Sequence, residues 1–228
     1  GASPGDIFGA SRNIRICFGS NMKTAEKIIL RLSQIKVDDK NPHFIGSWTI
    51  EPFSICEDLI SYFELNLAKQ MKGSTLGGVN PNFKDSVDIM IKPKEIILPG
   101  NEVFKFYFEE LLNCYKNYVE EWPFLKELAQ KTEISSFNLQ RYKTGQHFKK
   151  IHSERTSIES SHRIFAFMTY LNDVEEGGST YFSHYDLEIQ PQQARTLIWP
   201  AEWTHAHRGN ILKEGSKYII TGWITFAN

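Results

Sequence analysis

The chain is poor in cysteine. Of its 228 residues only Cys17, Cys56 and Cys114 carry a thiol. They are odd in number, far apart and form no C-x-x-C pair, which argues against a disulfide framework and a cysteine-rich zinc site. No Cys/His signature surrounds them, so they read as small buried hydrophobes rather than nucleophiles. Charge of one sign is lacking too: 26 Lys and Arg against 27 Asp and Glu leave a net charge of -1. A general nucleic-acid or membrane-surface binder is usually basic, so neither partner is expected. No apolar run approaches the roughly 18 residues of a membrane-spanning helix. No secretory signal pattern opens the chain, although its first residues, Gly1-Ala2-Ser3, leave a trimmed targeting segment open. The expected location is cytoplasmic. There is no internal repeat or low-complexity tract.

Hydrophobic residues make up 41% of the chain and aromatics 13%, enough for a real core, so disorder of the whole chain is excluded. A single domain over 1–228 is expected, with an N-terminal helical and strand support region at 1–130 and a core at 134–226. In the first part Ile28, Ile29, Leu32 and Ile35 recur at helical spacing. Ser54-Ile55-Cys56-Glu57 fits a capping box, with Ser54 as N-cap. It leads into the stripe Ile55, Leu59, Phe63, Leu67, which predicts a helix over 54–70. Residues 73–81 read as a loop. Phe104, Phe108, Leu111, Tyr115 and Val119 predict a second helix, stopped or kinked by Pro123. Both stripes read as scaffold facing a core. The second part reads as strands at 134–142, 163–171, 180–185, 194–199, 204–208 and 217–226, punctuated by turn residues. The pattern predicts an antiparallel sandwich or barrel, and so a mainly β fold with flanking helices.

Two groups of residues carry chemistry. His152-Ser153-Glu154 sets an imidazole and a carboxylate two residues apart, on one face of an extended chain. Thr204-His205-Ala206-His207 brings further imidazoles from elsewhere in the chain. Two His and one carboxylate suit the facial triad of a non-haem Fe(II) oxygenase, which leaves other coordination positions open. Lys217 stands at the start of the last apolar strand, where a charge costs desolvation energy unless an anion pairs with it; a substrate carboxylate is a natural partner. The competing reading places Lys217 on the solvent face of an edge strand.

Tyr142-x-x-Gly145-Gln146, His152-x-Glu154, Tyr170-Leu171-Asn172-Asp173-Val174, Gly177-Gly178-Ser179-Thr180 and His207-x-Gly209-x(7)-Lys217-x(5)-Trp223 occur in this order. Together they resemble the catalytic domain of the 2-oxoglutarate/Fe(II) dioxygenases, prolyl 4-hydroxylase branch, over residues 135–226. The first half resembles that family only in layout, with Lys84-Asp85-Ser86 as a local echo. The resemblance implies a double-stranded β-helix (jelly-roll) core with N-terminal helices packed on it. It implies Fe(II) held by His152, Glu154 and His207, with 2-oxoglutarate and O2 as cosubstrates and ascorbate as a further candidate. Lys217 would pair with the far carboxylate of 2-oxoglutarate, helped by Tyr142 and Thr180, while Arg163 and Trp223 would line the substrate side.

Three departures stand out. The family carboxylate is normally Asp, and here it is Glu154. The interval from Gly145 to His152 is one residue longer than expected, which a bulge would absorb. His205 competes with His207 for the metal, and the interval to Lys217 together with Gly209 favours His207. The implied reaction is C–H hydroxylation with release of succinate and CO2, most readily on prolyl residues of an extended peptide, between rims at 73–83 and 153–162. Hydroxylation of a free amino acid or other small molecule, and a non-catalytic jelly-roll binding module, are the alternatives. A nucleic-acid demethylase would be expected to use Arg in place of Lys217. A cupin would carry H-x-H ahead of its Glu, whereas here H-x-E comes first.

Overall fold

The computed structural model describes residues 43–75, 77–128 and 131–227; the helical pattern at 28–35 and Cys17 lie outside them. Twelve strands are assigned among the described residues: β1 Gly46–Thr49, β2 Met71–Lys72, β3 Val87–Ile91, β4 Thr132–Ile134, β5 Phe137–Lys143, β6 Phe148–His152, β7 Arg163–Tyr170, β8 Thr180–Phe182, β9 Leu187–Ile189, β10 Arg195–Pro200, β11 His207–Gly209 and β12 Ser216–Phe226. The helices are α1 Ser54–Leu65, α2 Glu102–Glu121 and the single turn α3 Leu125–Leu128. The larger sheet runs β1-β10-β7-β12-β5-β3-β2, with β4 also on β12, and the smaller runs β6-β11-β8-β9. All the named ladders are antiparallel. The architecture is the expected jelly roll with helices on one face.

Period-2 alternation in the long strands builds two cores. From β12, Ile220 and Ile224 join the core shared with the helices, while Ile219 joins Tyr142, Met168, Tyr170, Phe182 and Trp199 in the core between the two sheets. Lys217 and Trp223 share the parity of Ile219, so one strand delivers both to the inner side. Gly222, of the opposite parity, is required by close approach: a Cβ there would stand 2.7 Å from both Phe137 Cβ and Phe167 Cζ.

Several local expectations are corrected. Helix α1 starts one residue ahead of a Ser54 cap, because Pro52 O and Phe53 O already accept from Ile55 and Cys56. Phe53 is the N-cap residue and no side-chain cap bond forms; the α-helix ends at Leu65, followed by a separate 3-10 turn at Leu67–Lys69. In α2 the fully buried face is Phe104, Tyr107, Leu111, Cys114 and Tyr118, so the stripe containing Phe108 and Tyr115 forms its shoulder. Burial pushes the Cys56 and Cys114 thiols up to about 11. The expected strand at 204–208 is split: Trp203–His205 is a 3-10 turn and only His207 onward is extended. Strand β6, absent from the expected set, shows no alternating burial.

Candidate metal and cosubstrate site

The smaller sheet brings the two histidines together. His207 lies directly opposite His152 in the β11–β6 ladder, and the next paired residues are Gly209 and Phe148. Two residues of β11 thus face four of β6, an irregularity in the stretch where an extra residue is expected. The ring centroids are 4.4 Å apart. Each ring is held at Nδ1 by the carbonyl two residues earlier: His152 to Lys150 O at 2.8 Å and His207 to His205 O at 2.9 Å. A carbonyl only accepts, so each Nδ1 carries a proton and Nε2 is the ring atom left to face a metal. Phe148 stacks flat on His152 at 3.8 Å, and Trp199 stands edge-on to His207 at 5.1 Å.

Glu154 completes the group. Its Oε1 lies 3.4 Å from His207 Nε2 and 3.7 Å from His152 Nε2. His152, Glu154 and His207 are the one cluster among the described residues with three metal-ligating atoms within 4.8 Å of one another. Burial, followed by the neighbouring His207, pushes the His152 imidazole down to about 4. Burial pushes the Glu154 carboxyl up, but hydrogen bonding and charge from the two histidines and the bond from Trp223 outweigh it, leaving the carboxyl at about 2. A neutral imidazole at His152 and an ionised carboxylate at Glu154 are protonation states a divalent metal needs, and the N,N,O donor set suits Fe(II).

Lys217 is 4% exposed. Its Nζ donates to Gly178 O at 2.7 Å and sits 4.5 Å from the centre of the Tyr142 ring. No carboxylate pairs with it among the described residues, and burial pushes it down to about 7. The solvent-face reading of this lysine is therefore excluded. The Gly177-Gly178 turn has φ of +79° and +69°. At Gly177 a Cβ would stand 2.4 Å from Ile211 O, so only glycine fits the turn that aims the carbonyl at Lys217. Thr180 is buried and shares a 2.6 Å hydrogen bond with the Tyr170 hydroxyl. Tyr142 is buried, and its hydroxyl donates to Gln140 Oε1 at 2.8 Å. Gln140 donates on to Asp88, which also receives Ser86 and the buried Lys84. Lys84 and Ser86 therefore belong to a buried polar network that abuts the Tyr142 side of the site, while Asp85 accepts from Gln146.

The remaining candidates separate. Trp223 donates to Glu154 Oε2 at 2.7 Å, and the Arg163 guanidinium lies over the Trp223 ring at 3.6 Å. Arg163 reaches that position because β7 carries one extra residue between Arg163 and Phe165 against β12, which reverses its face. His205 turns away from the cluster: its ring bonds Thr204 Oγ1 at 2.9 Å and His43 O at 2.8 Å. His147 is buried, and its main chain pairs with Asp85. Sequence reasoning placed Tyr170 in a motif without giving it a role, and missed Trp199. The latter is 2% exposed in the inner core with no partner for Nε1 among the described residues, and only its place in a buried strand hinted at it.

Residues 137–225 match the model of the 2OG-Fe(II) oxygenase superfamily. A probable prolyl 4-hydroxylase 9 of Arabidopsis thaliana is 30% identical over 130 residues, covering 43% of this chain and 45% of that protein. Prolyl 4-hydroxylase 13 of the same plant is 28% identical over 132 residues, covering 46% and 48%. The chain thus spans about half the length of the curated relatives it matches. Among solved structures, a viral collagen prolyl hydroxylase from Paramecium bursaria Chlorella virus-1, in complex with 2OG, superposes with a TM-score of 0.58 at 18% identity, covering 84% of this chain and 99% of that one. A Trichoplax adhaerens prolyl hydroxylase, in complex with a peptide fragment of the hypoxia inducible factor oxygen degradation domain, gives 0.62 at 16% identity, covering 92% and 96%. At these identities the likeness is one of fold. No helix among the described residues is long and apolar enough to cross a membrane.

Proposed function

We propose, for a chain whose residues 137–225 match the model of the 2OG-Fe(II) oxygenase superfamily, that His152, Glu154 and His207 hold Fe(II) and that the protein hydroxylates prolyl residues in an extended peptide. The superfamily's cofactors are Fe(II), 2-oxoglutarate and O2. Bound there, Fe(II) would activate O2, with 2-oxoglutarate oxidised to succinate and CO2, and so supply the oxidant for an unactivated C–H bond. The chain's own residues bind, orient and exclude water. The observation that carries the reading is the pairing of a three-ligand cluster with a buried, unneutralised lysine inside the same sandwich. Lys217 receives the far carboxylate of 2-oxoglutarate. The Tyr142 ring lies against Lys217 Nζ, and the Tyr142 hydroxyl and the Tyr170–Thr180 hydroxyl pair would be the further polar groups for that carboxylate.

Apolar walls formed by Phe148, Phe182 and Trp199 around the histidines keep water from the reacting centre. The peptide would run between residues 73–83 and 153–162. Phe83 there bonds along β6 through its carbonyl to Lys150 N, and Arg155 is tied to Glu202 beside Ala201. A proline-rich segment is pre-ordered as polyproline II and loses little entropy on entering such a groove. Proline as substrate is also the chemistry named for both Arabidopsis relatives.

The test is an anaerobic titration with Fe(II) and then 2-oxoglutarate, followed by succinate release with and without proline-rich peptides. A visible charge-transfer band that is lost in Glu154→Ala and His207→Ala, with peptide-stimulated succinate and a hydroxylated prolyl product, is expected. A folded protein with no band refutes the oxygenase reading. A band with succinate stimulated only by free amino acids or other small molecules refutes the peptide substrate.

A further inference from the structure

Glu154 stands where the resembled family carries Asp, and its surroundings account for the longer side chain. Its backbone is pinned on both sides: the N–H donates to Ala201 O at 3.2 Å, and the carbonyl accepts from Arg163 Nη1 at 2.8 Å. The Arg155 N–H also donates to Ala201 O, at 3.0 Å. From that fixed point the carboxylate serves two directions. Oε2 accepts the 2.7 Å bond from Trp223 Nε1, and Oε1 faces the two imidazole Nε2 atoms at 3.4 and 3.7 Å.

Trp223 is itself fixed. It lies opposite Ala166 in the β12–β7 ladder, its carbonyl accepts from Ser135 N at 3.2 Å, and its ring is covered by Arg163. Arg163 Nη1 is 3.9 Å from Oε2, so a cation backs the same oxygen.

We infer that Trp223 is a positioning residue for the metal-ligand set: its indole N–H holds Glu154 Oε2, so that Oε1 alone is presented to the two imidazoles, and this cradle is matched to glutamate rather than aspartate. The inference rests on reading His152, Glu154 and His207 as metal ligands. Glutamate has one more rotatable bond than aspartate, whose freedom must be given up when a metal binds. A charge-assisted hydrogen bond from a fixed donor removes that freedom in advance. An aspartate here is one methylene shorter, and the pinned backbone cannot advance to make up the difference. Its carboxylate would reach the indole or the imidazoles, but not both.

The test uses Co(II) as probe, titrated into the metal-free full chain and followed by its visible ligand-field bands. The proteins are wild type, Trp223→Phe, Glu154→Asp, the double variant and His207→Ala. Trp223→Phe and Glu154→Asp are each expected to weaken Co(II) binding about 10- to 100-fold, the usual effect of removing a ligand's supporting hydrogen bond. The double variant is expected to be no weaker than the weaker single variant, because both changes break one contact. Additive losses, or Trp223→Phe binding as wild type, overturn the inference. Should Trp223→Phe not fold, Glu154→Asp still tests it: Co(II) affinity at or above wild type overturns it. His207→Ala separates the two layers. If it binds Co(II) like wild type, the ligand assignment fails; if it loses Co(II) while Trp223→Phe keeps it, only the role of Trp223 fails.

Discussion

Cosubstrate binding should draw a proton from solution, and Lys217 is the reason. In the free protein the ammonium has one carbonyl and one aromatic face for company, and burial takes its pKa from 10.5 to about 7. At about pH 8 only about a tenth of the molecules are therefore charged at this position. A carboxylate bound against Nζ favours the charged form and returns the pKa toward its ordinary value. Binding 2-oxoglutarate at about pH 8 should then take up about 0.9 proton, against about 0.1 at pH 6, where the lysine is already charged. 2-Oxoglutarate is fully ionised at both pH values and contributes no proton.

The assay is calorimetric titration of oxygen-free, Mn(II)-loaded protein in buffers of different ionisation enthalpy, whose slope counts protons. Uptake below about 0.2 at pH 8, or the same uptake in Lys217→Met, would refute the argument. The same shift bears on stability. A lysine whose folded pKa lies below its unfolded value costs stability fully below about pH 7, and the cost fades as pH rises toward 10.5. Lys217→Met should accordingly stabilise the cosubstrate-free protein most at or below neutrality, by at most about 5 kcal/mol at ~1.36 kcal/mol per pKa unit, and hardly at all near pH 10.5. Chemical denaturation across that range reads the difference.

Two further outcomes follow from the geometry. His207→Ala should abolish Fe(II) binding, whereas His205→Ala should keep most of it and lose stability instead, by roughly 1–3 kcal/mol, because the buried ring leaves Thr204 and the His43 carbonyl without a partner; equilibrium dialysis with denaturant melts checks both, and the reverse pattern would show that His205 is the ligand. Gly222→Ala should cost about 1–3 kcal/mol by overpacking Phe137 and Phe167, read as a lower denaturation midpoint with an unchanged slope.

Local structure was legible wherever a strand is long and rich in β-branched and aromatic residues. Arg163–Tyr170 and Ser216–Phe226 bury one face on the helices and the other between the sheets, so the β core and the H-x-E pair could be read before any coordinates, whereas the solvent-face reading of Lys217 fell only with its burial. Short or unpatterned segments were not legible. Phe148–His152 is exposed or half-exposed at every position, so no period marks it, although it carries a metal-ligand candidate. Helix α1 lost its expected cap because main-chain carbonyls ahead of Ser54 had already taken the donors.

What only the tertiary structure decided is which groups meet. Spacing favoured His207 over His205, but the separation itself lies in a 3-10 turn that swings one ring toward His43 and leaves the other opposite His152. Nor could it foresee that one extra residue in β7 would turn Arg163 onto Trp223, or that Trp223 would take one oxygen of Glu154. Residue type and period are set by local burial and by the chemistry each side chain can do. Contacts between residues 50 or more positions apart depend on register, and a single inserted residue changes register without leaving a mark in composition.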